Sequence, residues 1–545
     1  MSQSSVELTT LPSSQQTGTA KSSAFELPLG TAPEYAEREE LPVLPSEDPD
    51  EMSTGISRAK GSVIIATASS MVFLNSVLSG KLTVGLPTIA RDINLSEGLM
   101  LWPASVYGLT CGCTLLLFGT VADVIGSRIV YLVGCFLLSV FTLACGLAKT
   151  GIQLIMFRAI SGIAMSLCLP SAVSIITASF STGKRRNVAF ACLGAAQPVG
   201  FSVGVALGGV FVDTIGWRYG YYIFAAINVL VLLVAIWGIP RDARKTGPMS
   251  WKRLGSEIDW VGVFLISASL GMFSYSFAIM TTGIKMIVKP ANLTLLILAF
   301  IFLATFIFWQ SRQERLGRVA LIPPSLFHST PAAPHRARNF SAICISVFFT
   351  WAVFNAYQYF TTLYFQQLQH LSSLQASARF VPMIVAGALT NIATGLVVNR
   401  ISADILCISA AFVSAIAPLL MALAKPTWSY WAAAFIATGL IPISADTLFT
   451  ISNLVITSVF PPKTHGLAGG VFNTISQIGM SVGLALTAVI STAVSKHEMD
   501  SGRGGQAMLK GYQATYWTAF GASIMIVALS WWGLRSIGKV GLKRD

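Results

Sequence analysis

Long apolar runs recur along almost the whole chain, and they constrain its fold more than any other feature. Each run approaches or exceeds the ~20 residues that an α-helix needs to cross a bilayer. Backbone polar groups cannot stay unpaired in lipid, so runs of this kind form helices. The fourteen runs lie near residues 61–89, 99–121, 129–148, 152–178, 188–212, 220–239, 259–282, 293–311, 340–366, 376–398, 404–424, 429–459, 467–494 and 514–534. They predict an all-α polytopic membrane protein with fourteen transmembrane helices.

The loops between the runs divide the helices into groups of six, two and six. We therefore predict two six-helix bundles with two helices inserted between them. The predicted segments are a disordered cytoplasmic tail (1–57), an N-terminal bundle (58–240), a basic loop with two linker helices and the following cytoplasmic loop (241–339), a C-terminal bundle (340–534) and a cytoplasmic tail (535–545). The first tail is rich in Ser, Thr, Glu and Pro without an apolar period, which is typical of disorder.

Charged residues are sparse, and their positions predict the orientation in the membrane. They make up 11% of the chain, against about 25% in a soluble domain. With the N-terminus inside, 22 bases fall in inner loops and ten in outer loops. The positive-inside rule then predicts that both termini are cytoplasmic. Topology and anionic lipid headgroups account for the net charge of +13, so no nucleic-acid partner is expected.

Neither the cysteines nor the histidines form a metal-binding pattern. The eight Cys lie in or at the ends of apolar runs, and the five His lie in or beside loops. This is neither a disulfide framework nor a zinc spacing. The chain also shows no ATP-binding P-loop and no sizeable soluble domain. We expect no cofactor, no metal site and no enzyme activity.

Two glycosylation sequons fall in predicted outer loops. They begin at Asn94 and Asn292 and are candidate glycosylation sites. A third, at Asn339, falls inside and should stay unmodified.

One uncharged run, 188–212, carries glycines at four-residue spacing. Gly200, Gly204 and Gly208 fall on one helical face, and Gly209 follows directly. A face without side chains lets another helix backbone approach closely in lipid. Pro198, one turn earlier, weakens or bends the helix. A pivot between moving bundles and ordinary tight packing both fit this pattern. A glycine-rich run at 466–483 loosely echoes it.

The short loop between the second and third runs carries an acid and a base five residues apart. Asp123 can pair with Arg128 or cap the next helix. Gly119 and Gly126 allow a close helix approach and a sharp turn. The loop is therefore a candidate inner latch between the bundles, or a turn that serves only topology.

Three charged residues lie within apolar runs. Arg158 stands a few residues into the fourth run, Asp446 deep in the twelfth, and Lys81 in the first. A charge in lipid is costly unless it faces a wet or hydrogen-bonded interior, so each is a candidate for transport or coupling. Asp446 suits a proton carrier or a structural hydrogen bond. Snorkelling to the interface is the alternative for Arg158 and Lys81.

The pair Trp217-Arg218 stands at the outer end of the fifth run. It is followed by Tyr219, Tyr221 and Tyr222. Aromatic residues at headgroup depth usually anchor a helix, and this cluster is predicted to do so.

Five segments together resemble the major facilitator superfamily. Gly119–Arg128 resembles its inner-loop motif, Leu154–Gly162 its fourth-helix arginine motif, and Gly200–Gly209 its fifth-helix antiporter motif. Trp217–Asn228 resembles the stretch that follows, and Asp259–Gly262 matches the entry to the seventh helix in the fourteen-helix drug:proton antiporter branch. The similarity covers nearly everything after residue 60. It is strongest to fungal members like the aminotriazole-resistance and low-affinity ammonium transporters.

The sequence departs from the family pattern at three places. Val205 follows Gly204 directly, at the place where the antiporter motif has proline after a spaced glycine. Val124 or Ser127 replaces a second base in the inner loop, and the first run has no acid before Leu86-Pro87.

The resemblance implies a secondary transporter that moves a drug, toxin or metabolite outward in exchange for protons by alternating access. It places Arg158 and Asp446 on the walls of a cavity between the bundles, with the glycines of 200–208 at the rocking interface. Uptake or facilitated flux of a small polar solute, such as ammonium or a boron compound, stays open, and so does a nutrient sensor that does not transport. We expect the plasma membrane, with the vacuolar membrane as the alternative. A monomer in a lipid bilayer suffices for this work.

Overall fold

The computed structural model describes residues 57–96, 99–180, 184–240, 258–280, 289–327, 335–398, 400–459, 465–502 and 504–535. Nearly all of the predicted N-terminal and C-terminal tails lie outside these residues. The helices are α1 Arg58–Asp92, α2 Trp102–Ile125, α3 Ser127–Leu147, α4 Gly151–Ser179, α5 Lys184–Asp213, α6 Trp217–Gly238, α7 Trp260–Met280, α8 Pro290–Arg315, α9 Arg336–Leu363, α10 in two pieces (Ser373–Ala378 and Val381–Val397), α11 Ala403–Leu423, α12 Ala434–Val459, α13 His465–Asp500 and α14 Gly504–Gly533.

The predicted all-α membrane fold is confirmed. Within the described ranges, thirteen helices are long and apolar enough to cross a membrane. The remaining helix, α7, has a shorter apolar stretch, Trp260–Phe273. Every predicted run corresponds to one of α1–α14. A continuous apolar stretch of this length predicts a membrane-spanning helix rather than another element.

Local signals fix where several helices begin and end. The hydroxyls of Ser57 and Thr150 accept hydrogen bonds from the backbone amides of Lys60 and Gln153, which satisfies donors at the starts of α1 and α4. Gly126 lies between α2 and α3 with φ of 117°. That backbone conformation strongly favours glycine, and it gives the sharp turn that the sequence predicts here.

The helices pack as two groups. In the first bundle, α1 packs on α5, and α4 packs on both α2 and α3. In the second bundle, α9 packs on α13 and α14, and α12 packs on α10 and α11. Between the bundles, α2 pairs with α13 and α5 with α10. The inserted pair, α7 and α8, pack on each other, and α7 also touches α2 and α13.

The spaced glycines of α5 lie against α1. A Cβ on Gly200 or Gly204 would collide with the backbone of Phe73 or Val77, and one on Gly208 would lie 2.9 Å from the Cα of Lys81. This seam is inside the first bundle, so the predicted location at the interface between bundles is wrong for these three glycines. The two backbones meet because no side chain separates them.

The second bundle repeats the same seam. Gly479 and Gly483 of α13 lie against the backbone of Phe348 and Ala352 of α9. The loose sequence echo between the two glycine-rich runs therefore reflects equivalent helix pairs, α5 on α1 and α13 on α9.

The two ends of the bundles differ in how their cores join. We name the ends after the residues where α1 begins and ends, the Arg58 side and the Asp92 side. On the Asp92 side, one buried apolar cluster runs through both bundles, from Leu78 and Tyr221 in the first to Tyr357 and Phe380 in the second. On the Arg58 side, each bundle has a cluster of its own, and α2 reaches the second one at Leu116.

Candidate functional site

A cavity lies between the bundles at the middle of the helices. It is lined by α1, α2, α4 and α5 on one wall and by α9, α10, α12 and α13 on the other. Its volume is about 130 Å³, which holds on the order of ten water-sized groups. A cavity of this size, formed equally by both bundles, can hold a small molecule and respond to their relative movement.

Arg158 lies on the α4 wall of this cavity. It is 3% exposed, so it does not reach out to the membrane interface. Its Nε donates to the carbonyl of Pro103 at 3.2 Å, and its guanidinium carbon is 4.6 Å from the ring centroid of Tyr107. Asn75 of α1 donates in turn to the hydroxyl of Tyr107. The guanidinium is thus held in place from α1 and α2.

Asp446 lies on the opposite wall, in α12. It is 6% exposed and follows Pro442, which stands inside the helix. The side chain of Asn391 contacts its carboxyl group. A Cβ on Gly387 would lie 2.9 Å from its Oδ2, so the glycine leaves room for the carboxylate. Neither of the two cavity charges forms a salt bridge with any described residue.

Lys81 lies away from the cavity, inside the first bundle. It is 1% exposed; its Nζ donates to the carbonyl of Trp217 at 3.0 Å and lies 3.4 Å from the ring centroid of Tyr221. The structure therefore places it neither at the interface nor within reach of a molecule in the cavity. In this position it attaches α1 to the start of α6.

One hydroxyl joins the two bundles on the Asp92 side of the cavity. Ser377, in the first piece of α10, donates to the carbonyl of Val205 at 2.7 Å and accepts from the amide of Gly209 at 3.1 Å. These two groups of α5 are four residues apart, the pair that bond to each other in a regular helix. Ser377 thus joins the second bundle to the backbone of the first. Gly209 is the residue of the glycine run that lies against the other bundle.

Two further bonds cross between the bundles on the same side. Gln366, in a π-helical turn at the end of α9, donates to the carbonyl of Val84 at 2.9 Å. Asp213, at the end of α5, accepts from the amide of Leu374 at 2.6 Å. We refer to Ser377, Gln366 and Asp213 as the bridge residues.

The candidate inner latch lies on the Arg58 side. Arg128 donates to the carbonyl of Ile236 at 2.7 Å, which ties α3 to the end of α6. A Cβ on Gly119 would meet Pro170 of α4 at an ordinary 3.6 Å, and Asp123 is exposed. These contacts lie within the first bundle, and a role of Asp123 and Arg128 in holding the bundles together stays a prediction.

Of the cluster predicted to anchor α6 in headgroups, Tyr219 is 58% exposed, whereas Trp217 is buried. Trp217 is only 5% exposed, and its indole donates to the Oδ2 of Asp92 at 3.0 Å. Arg218 forms an ion pair with the same carboxylate and donates to the carbonyl of Ala148 at 3.3 Å. The pair clamps the ends of α1, α3 and α6, because a buried indole needs an acceptor for its N–H.

The two outer sequons differ in accessibility. Asn94 is exposed in the loop after α1, whereas Asn292 is 8% exposed in the first turn of α8.

Sequence reasoning missed the uncharged polar residues of the site. The cavity amides Asn75, Gln197 and Gln477 stand within apolar runs, which is a signal the sequence does carry. The bridge residues carry no such signal, because they stand near helix ends where polar residues are common. As for metal sites, no group of three or more His, Cys, Asp or Glu that could hold an ion occurs among the described residues.

Comparisons with known proteins agree with this architecture. The sequence model of the Major Facilitator Superfamily matches residues 68–484. MFS-type transporter 1 of Pyricularia oryzae is 43% identical, over 89% of this chain and 86% of that protein. The low affinity ammonium transporter of Saccharomyces cerevisiae is 24% identical over 78% and 79%, and efflux pump terJ of Aspergillus terreus is 24% identical over 82% of each chain.

A solved structure shows the same fold. The bacterial homolog to the human lysosomal transporter Spinster, in an inward-facing and occupied conformation, has a TM-score of 0.59 at 15% identity, over 88% of this chain and 98% of that one. A family match over most of the chain, two helix bundles around a central cavity and thirteen membrane-length helices in the described ranges lead to one conclusion. This chain belongs to the major facilitator superfamily, and it is an integral membrane transporter of a small molecule rather than an enzyme.

Proposed function

We propose that this transporter exports a small molecule in exchange for protons, by alternating access of its central cavity. The proposal rests on Asp446, which is 6% exposed and whose carboxylate lines the cavity. An ionised carboxylate as buried as this one is costly unless a cation neutralises it. A proton and a cationic group of the substrate can each do so. Because the two compete for one carboxylate, the transporter exchanges them.

The orientation follows from the charges of the loops. The Arg58 side carries most of the loop bases, so we assign it to the cytoplasm, with both termini on that side. The Asp92 side then faces outward, where the shared apolar cluster and the three bridge residues join the bundles. With this orientation, we infer a state closed to the outside, which substrate would reach from the cytoplasm. Export requires the bridges to break.

The direction of transport is supported by relatives that are named efflux pumps, such as terJ. Uptake of a small polar solute such as ammonium or a boron compound is the second candidate, because the similar yeast protein is named an ammonium transporter. We place the protein in the plasma membrane, and the vacuolar membrane gives the same chemistry with the lumen as the outside. One chain contains the whole cavity, so a monomer is sufficient.

A growth screen tests the direction. Strains that lack the protein, overexpress it or carry Arg158→Ala are compared on a panel of toxic solutes and drugs. Export predicts resistance that rises with the wild-type protein and falls in the variant. Greater sensitivity on overexpression would establish uptake instead.

Transport in vesicles tests the coupling. Uptake of a substrate from the screen into inverted vesicles should rise when the lumen is acidified, because protons then leave the vesicle as substrate enters, and Asp446→Asn should abolish that dependence on the pH gradient. Asp500→Asn, at the exposed end of α13, is the matched control and should behave as the wild type. Unchanged pH dependence in Asp446→Asn, with normal amounts of protein in the membrane, would remove Asp446 from the mechanism.

A further inference from the structure

Two opposite charges face one cavity from different bundles without pairing with each other. Arg158 stands on α4 and Asp446 on α12, and both line the cavity at 3% and 6% exposure. No salt bridge joins them, and none joins either of them to another residue in the described ranges. Buried charges are normally paired because the loss of hydration is otherwise uncompensated. The unpaired state therefore points to an occupant that supplies the missing partners.

The free part of Arg158 fits a carboxylate. Its Nε–H is used by the carbonyl of Pro103, and one face of the guanidinium lies near the ring of Tyr107. Its two terminal nitrogens have no acceptor among the described residues. Four N–H donors in a planar fork match two carboxylate oxygens. The contacts with α2 hold the fork in place before anything binds, which lowers the cost of ordering it.

The environment of Asp446 fits an ammonium group. A carboxylate only accepts hydrogen bonds, and the contact with Asn391 leaves further acceptor sites open. Gly387 adds no side chain beside it. The cavity wall also includes the aromatic side chains of Trp351 and Phe354. The apolar part of the occupant can therefore contact aromatic rings, while its charged groups meet Arg158 and Asp446.

We propose that the cavity binds a small zwitterion, with its carboxylate on Arg158 and its ammonium group on Asp446. This inference rests on the proposed function, in which Asp446 exchanges a cationic group for a proton. A simple cation would leave Arg158 without an acceptor. A simple anion would leave Asp446 to be neutralised by a proton, and proton and substrate would then bind together instead of competing.

The placement of the charges links binding to movement. Because they belong to different bundles, a zwitterion connects α4 with α12 across the cavity. A ligand with a single charge connects to one wall only. The zwitterion thus stabilises states in which the two walls are close, which is what the closure of the cavity around its substrate requires.

Three probes that share a phenylethyl skeleton test the inference: L-phenylalanine, phenethylamine, which lacks the carboxylate, and 3-phenylpropionate, which lacks the amine. Binding to the purified full chain is measured by the rise in Tm and by quenching of tryptophan fluorescence. L-Phenylalanine should bind at least about tenfold more tightly than either analogue, since each analogue leaves one charge unpaired. In Arg158→Gln, L-phenylalanine should bind no more tightly than phenethylamine. In Asp446→Asn, it should bind no more tightly than 3-phenylpropionate.

The controls keep the experiment decisive. Arg400→Gln and Asp500→Asn change exposed residues outside the cavity and should keep the wild-type order of affinities. If Arg158→Gln fails to fold, Arg158→Lys keeps the charge but loses the fork and should weaken L-phenylalanine more than phenethylamine. Equal affinities for the three probes, an equal loss of all three in one variant, or no binding of any probe at millimolar concentration would overturn the inference.

Failure of the inference differs from failure of the proposed function. Phenethylamine that binds best and is displaced by protons at Asp446 would contradict the zwitterion and leave proton-coupled export intact. Binding of L-phenylalanine that does not depend on pH and is not weakened by Asp446→Asn would contradict both.

Discussion

The Asp92 and Arg58 sides of the molecule are built from the same helices but join the bundles in different ways. On the Asp92 side, the apolar core is continuous, and three polar side chains cross between the bundles. On the Arg58 side, the core is divided, and contact is concentrated in the α2–α13 pair. The difference indicates at which end the two bundles can separate. A divided core can open without exposing the interior of either bundle.

The bridges on the Asp92 side share a further property: they end on backbone groups. Ser377 bonds to the backbone of α5 at Val205 and Gly209, and Gln366 bonds to the carbonyl of Val84 in α1. When such a bridge breaks, the side chain leaves and the helix can restore its own bond or bind water. The closed Asp92 side is thus held by hydrogen bonds that break at a low cost in free energy. The glycine seams inside each bundle differ, because there two helix backbones are in direct contact.

The largest effect is expected at a seam inside a bundle. Gly204→Val places two methyl groups against the backbone of Val77, where no side chain can move aside. Overpacking of this kind costs about 3 kcal/mol, so we expect little folded protein in the membrane. Gly469→Val is the matched control on the Arg58 side, since nothing lies within 4 Å of its Cβ. Fluorescence-detected gel filtration of both variants measures the difference. Equal yields would show that the seam is not tight.

An intermediate effect is expected at the bridge from Ser377. Ser377→Ala removes both bonds to α5, worth about 1 kcal/mol because the two backbone groups can then bond to each other. The population open on the Asp92 side should rise about fivefold. Labelling of a cysteine introduced at Leu207 of α5 measures it, with Ser409→Ala as a control whose hydroxyl bonds only within its own helix. A labelling rate equal to that of the control would exclude Ser377 from the closure.

The smallest effect is expected at Asp213. This carboxylate is exposed, so its bond to the amide of Leu374 is weakened by competition with water. Asp213→Asn should raise the same labelling rate about twofold, and added salt should reduce the difference between variant and wild type. An effect larger than that of Ser377→Ala would reverse the proposed order of the bridges.

Much of this molecule was predictable from its sequence, and the rest depends on which helices meet. The helices follow from apolar runs. Charges inside spans need a polar interior, which made Arg158 and Asp446 candidates, and the family resemblance implied their place on the cavity wall. Lys81 shows the limit, since its sequence signal is equally strong and yet it lies against Tyr221 inside the first bundle. The partners of Ser377 depend on the packing of α5 against α10, which no local pattern encodes.

The glycines of the fifth run, and Trp217 just after it, show the same limit. Their spacing predicts that backbones approach closely, but not which backbone, and α1 rather than a helix of the other bundle fills that place. The position of Trp217 in the sequence predicts an interfacial anchor. In the structure its indole is buried and donates a hydrogen bond to the carboxylate of Asp92, 125 residues away.

The most direct test of alternating access is the distance between spin labels across each side. One pair joins Asn94 and Lys425 on the Asp92 side, and the other joins Ile129 and Arg400 on the Arg58 side, all four exposed, with Cys192 replaced by serine. Pulsed electron resonance compares the wild type with Ser377→Ala. Alternating access predicts that the variant lengthens the Asp92-side distance and shortens the Arg58-side distance. Distances that stay fixed, or that lengthen together, would contradict it.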